Sequence, residues 1–327
     1  MTTTLSPVES IKTKSRGLRG TLDDSLKNGI TGALYADDQS VIKFHGIYQQ
    51  DDRDRREERE HKKLERAYSY MVRLRIPGGD VTAEQWLGIA RITDECGTGV
   101  VKITTRQTVQ IHGVVKSVLR PTVQMFYDLG LDSIAACGDI NRNVIAAASP
   151  ATSKFFDEAH AFGEAISEKL LPKSKAFAEI WLDGEKLTED EPEPDPLYEK
   201  RYLPRKFKIA LAIPPLNDAD IFTNDIGLIA IEDNGKLAGF NVAIGGGMGT
   251  THGNPATYPR LATVIGFAPK DKTTEVCWQI AAVQRDNGNR SDRAQARLKY
   301  TVDRMGVDVF KAELEKRLGF KLGAAKP

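Results

Sequence analysis

The sequence predicts an α+β protein: a ferredoxin-like β-α-β-β-α half-domain followed by a larger mixed α/β domain. Three observations carry this. Over residues 68–134 the apolar period alternates between two and about 3.6 in the order strand, helix, strand, strand, helix. Beyond residue 135 several strand-like apolar runs are followed by three helical patterns. Residues 1–67 lack both and read as a polar arm leading into a charged segment. The expected division is therefore 1–67, 68–134 and 135–327.

Within the first unit, "YSYMVRLRIPGG" alternates. Met71, Arg73 and Arg75 face one way, Val72, Leu74 and Ile76 the other, and Pro-Gly-Gly closes the strand. Thr82 with Gln85 three residues on is a capping box, and Trp86, Ile89, Ala90 and Ile92 form the apolar stripe of the helix that follows, with Gly97 as its stop. "VVKITT" and "TVQIHGV" are two strands joined at Arg106-Gln107, the second setting Gln110 and His112 against Val109, Ile111 and Val114. A helix is expected from about Arg120 to Leu129.

In the second region "CGDINRNVIAAASP" reads as a loop, "FFDEAHAFGEAISEKLL" as one amphipathic helix and "FAEIWL" as a strand. "DGEKLTEDEPEPDPLYEKR" reads as an acidic, proline-rich surface loop. "KIALAI", "GLIAIED" and "GFNVAIGGGMG" are strands, and the segments beginning at Glu275, Arg290 and Val307 are helices. The run from Asp51 to Arg66, apolar only at Leu64, reads as a solvated helix with i,i+4 ion pairs.

Bulk composition excludes several functions. The 327 residues carry 46 basic and 45 acidic side chains, a net charge of +1, so no global field draws nucleic acid or an anionic membrane. No apolar run reaches the ~20 residues of a membrane span, and the N-terminus lacks the apolar core of a signal peptide. Three separated cysteines, Cys96, Cys137 and Cys277, offer no CxxC pair and are expected to be reduced thiols of a cytoplasmic protein. No metal-ligand spacing is present among the histidines.

One pattern stands out. Lys206 and Lys208 share a strand face at the mouth of an apolar strand, while Arg73, Arg106 and Arg142 sit inside or at the corners of well-patterned elements. Buried cations cost several kcal/mol each unless paired, and few carboxylates neighbour these in sequence. If they converge, the natural counter-ion is an external anion, with arginine as a fork for oxyanions and lysine as a proton donor of tunable pKa. Gly245, Gly246 and Gly247 after a strand would let the backbone approach a flat or anionic ligand.

Taken together, "FHGIYQQDDRD", "RLRIPGG", "TTRQTVQIHG", "DINRNV", "YLPRKFK", "NGKLAGFNVAIGGGMG", "HGN" and "QRDNGNRSDRAQARLKY" resemble, in order, the assimilatory sulfite reductase haemoproteins, the beta component of the NADPH-type enzyme. The resemblance spans about Leu18 to Phe320. It implies a sulfite/nitrite reductase-like fold with a sirohaem-binding second domain, the six-electron reduction of sulfite to sulfide, and an NADPH-dependent flavoprotein subunit as partner, for which the N-terminal arm would help form the dock. It assigns Arg73, Arg142, Lys206 and Lys208 to the substrate, Arg106 to sirohaem carboxylates, and Lys102, Gln110, His112 and Gly245–Gly247 to the macrocycle. Lys43 and Lys102 stand where close relatives have arginine, which turns a fork into a point charge. The family's [4Fe-4S] cluster is held by four cysteines of a later half; Cys96, Cys137 and Cys277 lie in other motifs, so the chain is expected to be an N-terminal part with an unpaired half-domain and an exposed apolar face. Two alternatives stand beside this: a nitrite reductase of the same superfamily, and a fragment that binds tetrapyrrole or a partner without turnover.

Overall fold

The computed structural model describes residues 4–148, 153–183 and 193–327. Its N-terminal segment forms three short helices, α1 (Pro7–Lys14), α2 (Leu22–Lys27) and α3 (Asp38–Val41). Leu18, Leu22, Leu34 and Val41 are buried in the main core, so this segment is a packed part of the fold, not the polar arm that its composition suggests. Scattered single apolar residues among Gly, Ser and Thr hide the core contribution from a periodicity reading. Polar contacts fix it further. Lys12 is 2% exposed; its ammonium donates to Glu9 at 2.5 Å and to the Leu203 carbonyl at 2.8 Å, with Asp139 at 3.4 Å. Arg290 reaches Glu9 from the far end of the chain, and Arg293 grips Asp139 with both nitrogens.

A four-stranded sheet follows: β1 (Ile47–Asp51), β2 (Tyr68–Arg73), β3 (Val101–Ile103) and β4 (Val109–Val114), in the order β1-β2-β4-β3, every neighbour antiparallel. Between β1 and β2 lies α4 (Arg56–His61), which buries nothing and carries the expected Glu58–Lys62 i,i+4 pair. β1 extends the expected half-domain sheet by one strand. The capping box is present: Gln85 N–H donates to the Thr82 hydroxyl and Thr82 N–H to the Gln85 side chain, opening α5 (Ala83–Cys96). The stripe is rotated from expectation. Gly88, Ile89, Ile92 and Thr93 are buried, whereas Ala90 and Trp86 are exposed. α6 (Lys116–Asp128) starts earlier than predicted and completes the unit.

The predicted helix over residues 155–171 is broken at Ala161 into α7 (Lys154–His160) and α8 (Phe162–Lys169). "FAEIWL" is a π-helical segment, Ala178–Asp183, and not a strand; Trp181 is fully buried and its indole N–H donates to His45 Nδ1 at 3.0 Å. A helical turn brings the indole to that acceptor, which is the constraint the apolar alternation missed. Residues 184–192 of the expected acidic loop lie outside the described residues.

The second sheet is β5 (Ile209–Ala212), β6 (Ile226–Asp233), β7 (Lys236–Ile244) and β8 (Thr263–Pro269), in that order. β5 pairs parallel with β6; the rest is antiparallel. Asn234 and Gly235, both left-handed, make the two-residue turn between β6 and β7. The sequence reading did not single out β8. The chain ends with α9 (Thr273–Asn287), α10 (Leu298–Met305) and α11 (Val307–Leu318) against this sheet. Among the described residues no helix is long and apolar enough to cross a membrane.

Two predictions arise here. His45 is 1% exposed; its Nε2–H donates to the Leu18 carbonyl at 2.8 Å while Nδ1 accepts from Trp181, and burial pulls its pKa from 6.5 to about 4. The unfolded chain therefore binds this proton first. Stability should fall as pH drops from about 6.5 to 4, by up to about 3 kcal/mol from this group; urea titrations of the protein and of His45→Gln across that range would show the slope shrinking in the variant. Separately, Val81, Trp86 and Ile103, 37%, 42% and 78% exposed, line one groove of about 660 Å³ beside the sheet edge β3. Such a face favours self-association; sedimentation equilibrium should detect it, and Ile103→Lys should reduce it.

Candidate anion-binding site

The first sheet has one apolar and one polar face. Arg73 lies opposite Gln110, which lies opposite Lys102, so the three form a row across β2, β4 and β3. With its oxygen towards Arg73, the Gln110 amide accepts from Arg73 Nε at 2.9 Å and donates to His112 Nε2 at 3.1 Å. His112 then donates from Nδ1 to Gln50 Oε1 at 3.0 Å. This arrangement holds a neutral imidazole, in keeping with a pKa lowered by burial and by the Lys102 and Arg73 charges. Lys102 is exposed.

The "DINRN" segment runs alongside the stretch that carries the lysines into β5. Phe207 N–H donates to the Ile140 carbonyl, Arg142 N–H to Phe207 and Leu211 N–H to Ile145, at 3.0, 2.8 and 2.8 Å. It is thus not a free loop: it adds short parallel bridges to the β5 side of the second sheet. The pairing puts Arg142 beside Lys206 and Lys208. Arg142 Nε donates to the Gly138 carbonyl at 2.8 Å and Nη1 to Ala136 at 3.2 Å, and its charge bears on the nearby Tyr48 hydroxyl.

Neither the Lys206 nor the Lys208 ammonium has a hydrogen bond or ion pair among the described residues, although both are half-buried. Burial first, then Arg297, Arg142 and Arg205, lowers Lys206 to a pKa of about 8. Burial, then Arg106 and Arg297, lowers Lys208 to about 8 as well. The carboxylate among them is Asp225, fully buried, and it is taken: Arg297 grips it at 3.1 and 2.8 Å, and Lys208 N–H donates to it at 2.9 Å. Arg297 and Asp225 were not singled out by sequence reasoning. Their partnership spans 72 positions and leaves no local spacing signal. Lys43 and Arg205 flank the group, each lowered by burial and then by the Arg293 charge.

Two expected contacts read differently in the structure. Arg106 joins the cluster electrostatically, yet four of its donor contacts go to protein acceptors: Asn143 O twice, Ile209 O and Asn224 Oδ1, at 2.6–3.0 Å. With five N–H groups, it is chiefly a clip between the two sheets and has little left for a cofactor carboxylate. The N–H groups of Gly245, Gly246 and Gly247 likewise all donate to protein carbonyls, of Asp225, Asn224 and Arg260. Gly246 is needed for packing, because a Cβ there would lie 2.2 Å from the Phe222 carbonyl oxygen. Arg75, on the face of Arg73, is spent on Asp132 and Glu168.

The arrangement can bind a small anion and hand it protons, since two ammonium groups near pH 8 carry protons that are readily released at neutral pH. Two depressed lysines also destabilise the ligand-free chain at pH 7. Its stability should rise as pH climbs from about 8 towards 10.5. Lys206→Met should raise the melting temperature at pH 7 and flatten that rise; calorimetry across this range checks both.

A nitrite and sulphite reductase 4Fe-4S domain matches residues 164–322, and a nitrite/sulfite reductase ferredoxin-like half domain matches residues 61–126. The chain is 59% identical over 318 residues to the sulfite reductase (NADPH) hemoprotein beta-component of Leptospira biflexa and 52% identical over 323 residues to that of Acidithiobacillus ferrooxidans. These matches cover 97% and 99% of this chain but 57% of each relative, so the chain spans little more than half the length of the curated relatives it matches. Among solved structures, the NirA protein of Mycobacterium tuberculosis has the same fold at 23% identity and a TM-score of 0.73, over 99% of this chain and 55% of that one. Dissimilatory sulfite reductase I follows at 13% identity and a TM-score of 0.58, over 86% of this chain and 76% of that one. The α+β architecture is that of these proteins, and the chain belongs to the nitrite and sulphite reductase family.

Proposed function

We propose that this chain supplies the substrate-gripping part of a sirohaem-dependent sulfite reductase, which takes sulfite to sulfide with six electrons from an NADPH-dependent flavoprotein subunit. One observation carries the reading: among the described residues, two ammonium groups without hydrogen-bond or ion-pair partners stand among guanidinium groups, and the fully buried carboxylate beside them, Asp225, is already engaged. Such a cluster needs an anionic ligand to offset its own repulsion. Relatives named as sulfite reductase hemoproteins support sulfite over nitrite as that ligand.

The donor set also fits sirohaem, whose eight carboxylates call for a surplus of cations. Arg205, Lys43 and Lys102 would hold its acid groups, with the one remaining donor of Arg106; Gln110 and His112 would lie against the ring. Bound there, sirohaem would supply redox-active iron chemistry. The chain's own residues do the rest. Arg73 and Arg142 neutralise the sulfite dianion and fix its oxygens. Lys206 and Lys208 pass protons to those oxygens as they leave as water, and their low pKa makes the transfer easy at neutral pH. A [4Fe-4S] cluster is not fitted by these residues: Cys96, Cys137 and Cys277 sit in separate elements, and among the described residues no cluster of His, Cys, Asp or Glu could hold a metal.

The domain division proposed is a half-domain over 68–134, joined by β1, and a sirohaem-binding region from 135 onward. The test is the visible spectrum of the chain purified from cells that make sirohaem, followed by sulfite and nitrite turnover in the longest protein that contains it. A tetrapyrrole band, sulfite turnover faster than nitrite, and a loss of about 10²–10⁴-fold in Lys206→Met are expected. A colourless chain whose longer form prefers nitrite would overturn the reading.

A further inference from the structure

Both substrate-facing arginines are held by one tripeptide. Arg142 donates to the carbonyls of Ala136 and Gly138, while Arg73, from another sheet, donates from Nη1 to the Cys137 Sγ at 2.8 Å. Cys137 is fully buried and is not part of any disulfide. The tripeptide has little freedom of its own. Gly138 has φ +91°, and a Cβ there would meet the Phe44 ring at 2.9 Å. Ala135 precedes it in left-handed backbone, and its N–H donates to the Phe44 carbonyl at 2.8 Å. The collar is therefore rigid, and its three acceptors set the spacing between the two guanidinium groups.

From this we propose that Cys137 is a positioning residue for anion binding: its sulfur orients Arg73 from one side while the Gln110 oxygen orients it from the other. Of the five N–H donors of Arg73, one is taken by sulfur and two by Gln110, which leaves two to face the ligand. A thiol is a weak acceptor in most settings, but a guanidinium donor strengthens the contact by its charge. Removing the sulfur frees the guanidinium to swing about the Gln110 contact, and a grip on a small, three-oxygen anion depends on angle as much as on charge.

The inference rests on the anion-site reading above, and titration calorimetry with sulfite separates the two. The unsubstituted chain should bind sulfite. Cys137→Ala should weaken that binding about five- to tenfold, whereas Cys137→Ser, which restores an acceptor, should stay within about twofold. Arg73→Met should lose at least as much as Cys137→Ala, and the double variant should lose no more than Arg73→Met alone. Unchanged affinity in Cys137→Ala overturns the inference, as does an equal loss in the Ser and Ala variants, which would mark a packing role. Additive losses in the double variant overturn it too. Absence of sulfite binding by the unsubstituted chain overturns the site reading itself, and the inference with it.

Discussion

Asn143 and Arg106 hold each other and, through each other, both sheets. The Asn143 amide accepts from Ile76 N–H at 2.7 Å and donates to the Ile76 and Arg106 carbonyls at 2.7 and 2.8 Å. Arg106 returns two bonds to the Asn143 carbonyl and extends to Ile209 on β5 and to the Asn224 side chain. Asn143 is 1% exposed, so every one of these bonds replaces water that is not there. The strand that bears Arg73, the segment that bears Arg142 and the strand that follows Lys208 all meet at this point. It adds polar direction to a junction that the shared apolar core and the Gln107–Ala146 pair also close.

The same point explains why a group of like charges can persist in one place. Repulsion among Arg73, Arg142, Arg205, Lys206, Lys208 and Arg297 is opposed by backbone pairing along residues 139–146 and by Asp225, which secures Arg297 and the backbone of Lys208 at once. The lysines are left as the soft members of the set. They answer the repulsion by a lowered pKa, a response closed to arginine over the physiological range.

What the sequence made legible followed from period and from local chemistry. The capping box at Thr82 and the alternation of β2 and β4 are short-range signals, and they were readable; the strand expected to carry Lys206 and Lys208 begins only at Ile209. Long-range partnerships were not. Arg297 with Asp225, Asn143 with Ile76 and Trp181 with His45 join residues far apart in sequence, and no window contains both partners. The packed N-terminal segment escaped for a related reason: Leu18 and Leu22 serve the core singly, between polar turns, and so produce no stripe. Arg106 was legible as a member of the cluster, but its commitment to protein carbonyls depends on where those carbonyls point.

The buried chain of charges from Arg290 through Glu9 and Lys12 to Asp139 and Arg293 has a practical corollary. Asp139 opens the very segment that places Arg142, so α1 braces that segment from behind. Removal of α1 would leave Asp139 paired with Arg293 and would take Glu9 from Arg290, which keeps the carbonyls of Arg201, Tyr202 and Arg285. The first helix thus ties Arg290 and, through Asp139, Arg293 to the segment that bears Arg142.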